Sequence, residues 1–130
     1  METRTVATMM IDTDVFIRIF RGDAQLKTQV DALSANASIN TVVYLELIQG
    51  AQNAQQLRDT EAYLARFMLL PLTPAVSIKA IELVRIYALT YGLRLADSLI
   101  AATCIEENLP LLTFNVKHFR SIQGLTLTTI

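Results

Sequence analysis

Residues 9–22 read Met9-Met10-Ile11-Asp12-Thr13-Asp14-Val15-Phe16-Ile17-Arg18-Ile19-Phe20-Arg21-Gly22, and the fold class turns on them. The apolar burst Val6–Ile11 predicts a short strand with Asp12 at its carboxyl end. Asp14 is placed to cap a helix over Val15–Arg21, and Gly22 to stop it. The rest of the chain repeats this alternation. Leu26, Val30 and Leu33 are spaced for a helix over Ala24–Leu33, and Ala37–Asn40 is a short strand. Thr41 caps a helix to about Ile48, with Gly50 beyond it; Ala54–Met68 is helical, and Leu69–Leu72 is a brief strand around Pro71. Thr73-Pro74 puts a cap before proline at the first helical position. That helix runs to about Thr90 with Ala80, Ile81, Val84 and Ala88 on one stripe, and Gly92 breaks it. Asp97–Glu107 is helical and ends at Asn108 and Pro110. Leu111–Phe114 is a strand, Val116–Phe119 a turn or short helix, and Leu125–Leu127 a last strand. Strands alternating with helices imply an α/β fold, a three-layer α/β/α sandwich around a parallel sheet. Ligands in such sheets sit at the carboxyl ends of strands.

Composition narrows the function. Of 130 residues, 52% are apolar and 18% charged, enough to bury a core and to exclude disorder. Eleven basic residues against twelve acidic leave a charge of −1, so no global field attracts nucleic acid. A polyanionic partner needs a local patch or a metal ion. The single cysteine, Cys104, excludes a disulfide framework and suits a reducing cytoplasm. With no repeat or linker, residues 1–130 are expected to form one domain, with residues 1–8 a dispensable extension before Met9-Met10. Glu46, Arg66, Arg85 and Asp97 interrupt every long apolar stretch, and the N-terminus lacks an apolar signal core, so neither a membrane anchor nor a signal peptide is expected. A mean hydropathy of +0.39 is high for a soluble monomer of this size.

Three acids stand in apolar runs. Asp12 lies between Met9-Met10-Ile11 and Val15-Phe16-Ile17, Glu46 inside Val42–Ile48, and Asp97 inside Leu93–Ile105. A buried carboxylate is costly unless it is paired or bound to metal. Three of them converging would repel one another until a divalent cation neutralised them, and hard oxygen ligands select Mg²⁺ or Mn²⁺. Each acid also has a plainer role open to it. Asp12 can hydrogen-bond the turn after its strand, Glu46 can lie on the exposed stripe of its helix, and Asp97 can cap its helix. Asp14 is assigned to capping. His118, the only histidine, is expected at the surface, and Cys104 in the core. Ser98 lacks a nucleophile elbow and a histidine base.

Four segments together resemble the PIN domain, and within it the VapC-type toxin ribonucleases of type II toxin–antitoxin systems. They are Met10–Ile17 with Asp12, Asn40–Gly50 with Glu46 followed by Leu47 and Gly50, Gly92–Ala102 with Asp97, and Thr113–Phe119 with Asn115. The resemblance spans about Met10 to Leu127. It implies metal-dependent hydrolysis of RNA phosphodiesters, with Asp12, Glu46 and Asp97 as catalytic and metal-binding acids at the carboxyl edge of the sheet. Asn115 stands where the family often has Asp, so a fourth carboxylate is missing; it is assigned to orienting a water or a ligand, and Thr113 to holding an acid by hydrogen bond. Arg94, Lys117, Arg120 and Arg18 flank the site as candidates for RNA phosphates. The resemblance further implies a homodimer, and a small antitoxin laid across the apolar faces near Phe16-Ile17-Phe20 and Ala54–Met68.

Two other acid-pocket folds fit less well. Asp12-Thr13-Asp14-Val15 also suits the opening motif of haloacid-dehalogenase phosphatases, but the later lysine and paired acids are missing. A receiver domain needs an Asp ending its third strand, and Leu70-Pro71-Leu72 offers none. A PIN-like module that binds RNA or protein without cutting is the remaining alternative, and Asn115 is the residue that keeps it open.

Overall fold

The structure, a computed structural model, describes residues 7–130; Val6 and most of the expected extension lie outside them. The elements run β1 (Met9–Ile11), α1 (Thr13–Phe20), α2 (Ala24–Leu33), β2 (Ala37–Asn40), α3 (Thr41–Gln49), α4 (Ala54–Leu64), β3 (Met68–Leu70), α5 (Pro74–Tyr91), α6 (Leu95–Glu107), β4 (Leu111–Leu112), α7 (Val116–Phe119) and β5 (Leu127–Thr128). All four strand pairings are parallel, in the order β3-β2-β1-β4-β5. Successive strand residues point to opposite faces, yet Met10 and Ile11 are both buried, as are Leu111 and Leu112. Both faces of the sheet are therefore covered, which makes the expected three-layer sandwich. The chain builds outward from β1 through β2 to β3, then returns to add β4 on the other side. The order reverses between β1 and β4, and the crevice at the carboxyl ends of these two strands is where such sheets bind ligands.

Long-range pairing overrides local spacing in several places. The α4 helix stops at Leu64, not Met68, because Met68–Leu70 is taken into the sheet beside Ser38–Asn40. Strand β3 then ends before Pro71, which has no N–H for the ladder. Strand β4 covers only Leu111–Leu112, so Thr113 and Phe114 are left to turn toward β1; β5 is Leu127–Thr128, not Leu125–Leu127. The buried stripe of α5 is Val76, Ala80, Leu83 and Tyr87, and Ile81, expected inside, faces solvent. Thr73 caps α5 as expected, and Gly92 ends it at φ 68°, a left-handed conformation that costs glycine little. Two caps differ from expectation: Asp12, not Asp14, caps α1, and Asn40, not Thr41, caps α3.

Asn40 joins the layers. It is fully buried; its Oδ1 accepts from the Val43 N–H at 3.0 Å, and its Nδ2 donates to Thr103 Oγ1 at 2.9 Å. One side chain thus starts the helix that carries Glu46 and ties it to α6, which carries Asp97. Asn40→Ala removes a cap worth about 1 kcal/mol and strips a buried hydroxyl of its donor, for a combined loss of roughly 2–3 kcal/mol. The check is the urea midpoint at constant m-value, and an unchanged midpoint contradicts this role for Asn40.

Candidate active site

The crevice at the β1/β4 reversal is lined by acids. Asp12, the first residue after β1, is 4% exposed. Its Oδ1 accepts from the Thr13 N–H at 2.8 Å and its Oδ2 from the Thr113 hydroxyl at 2.8 Å. Because Asp12 is the cap, Asp14 falls in the first turn of α1 and turns toward β4. Its Oδ2 accepts from the Phe114 N–H at 3.0 Å, while its Oδ1 is buried with no hydrogen-bond partner. Thr113 Oγ1 lies 3.5 Å from Asp14 but 2.8 Å from Asp12, and it has one proton to give, so Asp12 takes it. The Asn115 N–H donates to the same oxygen at 3.0 Å and fixes its orientation.

The electrostatics follow from this crowding. Burial, then the charge of Asp14, push the Asp12 carboxyl up to about 7, against the Thr113 and Thr13 hydrogen bonds and with a further push from Asp97. Burial also raises Asp14, opposed by the N–H groups of Phe114 and Val15. Asp97, in the first turn of α6, is raised by burial; His118 and Arg94 pull it down and Asp14 pushes it up. Asp12, Asp14 and Asp97 therefore share one field. Glu46 joins them differently. It is exposed, and its Oε1 accepts from the Thr13 hydroxyl at 2.7 Å. Thr13 thus bridges Glu46 to Asp12 through its hydroxyl and its N–H.

Asp12 and Asp97 share the crevice, and Glu46 stands at its rim. Among the described residues, no three His, Cys, Asp or Glu side chains are already arranged as a metal cage. The Asp12, Glu46 and Asp97 trio is not a closed site as it stands, because Glu46 is turned onto Thr13. Asp14, expected only to cap, is the acid whose charge weighs most on Asp12. The signal for it was present: when the first polar residue after an apolar strand is the cap, an acid two positions later falls in the first helical turn. Asn115 is exposed, and its backbone N–H supports the site by donating to Thr113. His118 is exposed as expected, with Nδ1 at 3.4 Å from Asp97 Oδ2. Arg94, Lys117 and Arg120 are exposed, whereas Arg18 pairs with Asp23 at 3.4 Å and stacks over the Phe114 ring.

The donor set suits a hard divalent cation. It consists of carboxylate oxygens whose charges are desolvated and mutually repelling, with one buried oxygen of Asp14 unpartnered. Ser98 and Cys104 offer no nucleophile. The Ser98 hydroxyl is buried and donates to the Leu95 carbonyl at 2.6 Å, and burial pushes the Cys104 thiol up to about 12.

A parallel α/β fold that gathers carboxylates at its strand reversal defines a small acid-site domain. The chain belongs to the PIN domain family, whose model matches residues 9–125. It is 31% identical over 120 residues to ribonuclease VapC10 of Mycobacterium tuberculosis, covering 90% of each chain. It is 32% identical over 132 residues to a ribonuclease VapC of Rickettsia bellii, covering 94% of this chain and 96% of that one. In three dimensions it resembles a chain of a toxin–antitoxin complex from Klebsiella pneumoniae, with a TM-score of 0.77, 26% identity, and coverage of 94% of this chain and 99% of that one.

The raised acids set a pH dependence. Between the ordinary carboxylate range and about 7, folded Asp12 holds a proton that the unfolded chain has lost. Stability therefore falls as pH rises through that window, by a few kcal/mol at most. Melting temperature in EDTA is expected to drop from about pH 5 to about pH 7.5, Asp12→Asn to flatten the slope, and Mg²⁺ to restore the wild type at the upper end. A wild-type melting temperature that rises through this window contradicts the assignment.

Proposed function

We propose that this chain is a divalent-metal-dependent endoribonuclease using Mg²⁺ or Mn²⁺, and the cytoplasmic toxin half of a toxin–antitoxin pair. The observation that carries the reading is the buried Asp12 carboxyl at the end of β1, held by Thr13 and Thr113 beside Asp14, whose second carboxylate oxygen is buried without a partner. Relatives named ribonucleases at 31% and 32% identity over nine-tenths of the chain support the reaction class. Divalent-metal dependence is general for PIN-domain ribonucleases. No helix among the described residues is long and apolar enough to cross a membrane.

Asp12, Asp97 and Glu46 would hold the cation, with the free oxygen of Asp14 as an added ligand. The bound cation supplies Lewis acidity that polarises a phosphodiester and eases deprotonation of water. The chain does the positioning. Thr113 fixes one oxygen of Asp12, and the Phe114 N–H fixes one oxygen of Asp14 and leaves the other available. With Ser98 and Cys104 withdrawn, attack falls to water. Arg94, Lys117 and Arg120 are placed to neutralise RNA phosphates, and among the described residues none of them has an ion pair. An open cleft of about 580 Å³, lined among others by Ile17, Phe20, Leu47 and Glu46, is the place for an antitoxin segment. An apolar helix laid there would cover Glu46.

Cleavage of structured RNA is expected to require Mg²⁺ or Mn²⁺ and to stop in EDTA. Asp12→Ala is expected to cost several orders of magnitude in rate, and His118→Ala less than about tenfold, since no histidine base is used. Metal-dependent RNA binding without cleavage would favour a non-catalytic module, and cleavage that survives EDTA but not His118→Ala would overturn the metal reading. Thr113→Val removes the bond that lowers Asp12, so the acid limb of the pH–rate profile is expected to move upward. A profile that keeps its position assigns Thr113 to packing alone.

A further inference from the structure

Strand β4 ends at Leu112, and the three residues after it are pinned by hydrogen bonds at the acid crevice. Thr113 donates to Asp12 at 2.8 Å, the Phe114 N–H to Asp14 at 3.0 Å, and the Asn115 N–H to Thr113 Oγ1 at 3.0 Å. The backbone that carries the Phe114 ring is therefore fixed against the acids, yet the ring stays out of the core, with Phe114 40% exposed. A single surface phenylalanine is ordinary. This one is stacked. The Arg18 guanidinium lies over the ring, with its carbon 4.4 Å from the ring centre. Arg18 reaches it from α1, one helical turn beyond Asp14. The Arg18 side chain is 55% exposed, and its ion pair with Asp23, at 3.4 Å, is a surface contact of little worth. A ring and a guanidinium thus stand at the lip of the crevice, packed on each other and open to water.

A nucleotide matches both groups. Its base offers a π-face to a ring or a guanidinium plane, and its phosphate offers negative charge to the guanidinium. An apolar protein side chain would use the ring and leave the cation unmet. The charge balance argues the same way. The chain has a net charge of −1 and acids line the crevice, so its own field does little to hold RNA. Stacking supplies affinity that does not depend on that field. We infer that Phe114 and Arg18 form a stacking subsite that takes one unpaired nucleobase of the RNA, beside the phosphate at the acids. The substrate class is then RNA with an unstacked nucleotide, in a single strand, loop or bulge, because a base inside a duplex has no free face. The inference rests on the ribonuclease reading and adds to it the place of the substrate's base.

Equilibrium binding tests it, in Mg²⁺, on the full chain carrying Asp12→Asn so that the RNA stays whole. The probe is a short single-stranded RNA whose only base is 2-aminopurine, abasic elsewhere; the control is the same strand abasic throughout. The parent is expected to quench the probe's fluorescence and to bind it on the order of tenfold more tightly than the control, the scale of one stacked base. Phe114→Ala is expected to lose the quenching and that preference. Phe114→Leu keeps apolar bulk against Arg18 without a π-face and is expected to behave like the alanine variant, whereas Phe114→Trp is expected to retain both effects. Arg18→Gln keeps a flat group over the ring without its charge and is expected to weaken binding and reduce its salt dependence. Circular dichroism checks that each variant is folded. A parent that binds the two strands equally overturns the subsite without recourse to any variant at 114. So does a Phe114→Ala or Phe114→Leu variant that keeps the quenching and the preference, which would leave the ring to packing or to a protein partner. An Arg18→Gln variant identical to its parent overturns the role of Arg18. Cleavage by the wild type is read separately: its absence overturns the nuclease reading, while loss of base dependence overturns only the subsite.

Discussion

The carboxyl group of Asp12 is taken out of water at the end of a buried strand, and the site is organised around that desolvation. Lone burial of an ionised acid is among the costliest acts available to a folded chain. Here two hydrogen bonds offset part of it: the Thr13 N–H of the helix that Asp12 itself caps, and the Thr113 hydroxyl from the end of β4. They do not offset all of it, because Asp14 and Asp97 share the crevice and their charges push the same way. The unmet remainder is an electrostatic demand for positive charge at a defined place. A hard divalent cation bound there would meet it.

Topology explains why these groups meet at all. They come from chain positions a hundred residues apart, yet the parallel order β3-β2-β1-β4-β5 sets the ends of β1 and β4 side by side. Each neighbouring element then contributes by its first turn or loop: α1 brings Thr13 and Asp14, α6 brings Asp97, and the loop after β4 brings Thr113 and Phe114. Glu46 arrives from α3, whose start is fixed by the buried amide of Asn40. The acids sit on rigid element ends instead of long loops, which keeps their mutual repulsion from being relieved by motion.

Much of this was legible in the chain. The alternation of short apolar runs with helical spacing set out the parallel sheet, and Ala24–Leu33 and Ala37–Asn40 were found at their observed limits. Thr73-Pro74 and Gly92 marked both ends of α5, because proline and glycine act locally. Met68 reads as helical in sequence because its strand pairing with β2 is a long-range event that no local window contains. Ile81 reads as a core residue in sequence because α5 has an apolar stripe on each side and the helical period alone does not say which faces the sheet. Of the site, Asp12 and Asp97 were visible as acids in apolar company. Asp14 is hidden by its own suitability as a cap: a helix capped at 14 starts two residues late and turns that acid away from the crevice, whereas Asp12 is the cap. Glu46 stands in an apolar run and is nonetheless exposed, because only Val43 and Leu47 of α3 are buried and even the apolar Leu45 faces out.

The central claim is that Asp12 waits for a cation. Carbon-detected NMR of the side-chain carboxyl carbons, with Asp12 assigned by comparison with Asp12→Asn, reads its titration directly. Without divalent cation, Asp12 should titrate near 7. With saturating Mg²⁺ it should stay ionised well into the acid range, since a bound cation favours the charged form. An Asp12 that titrates in the ordinary carboxylate range in both conditions would contradict the account, because the crevice would then place no demand on a metal.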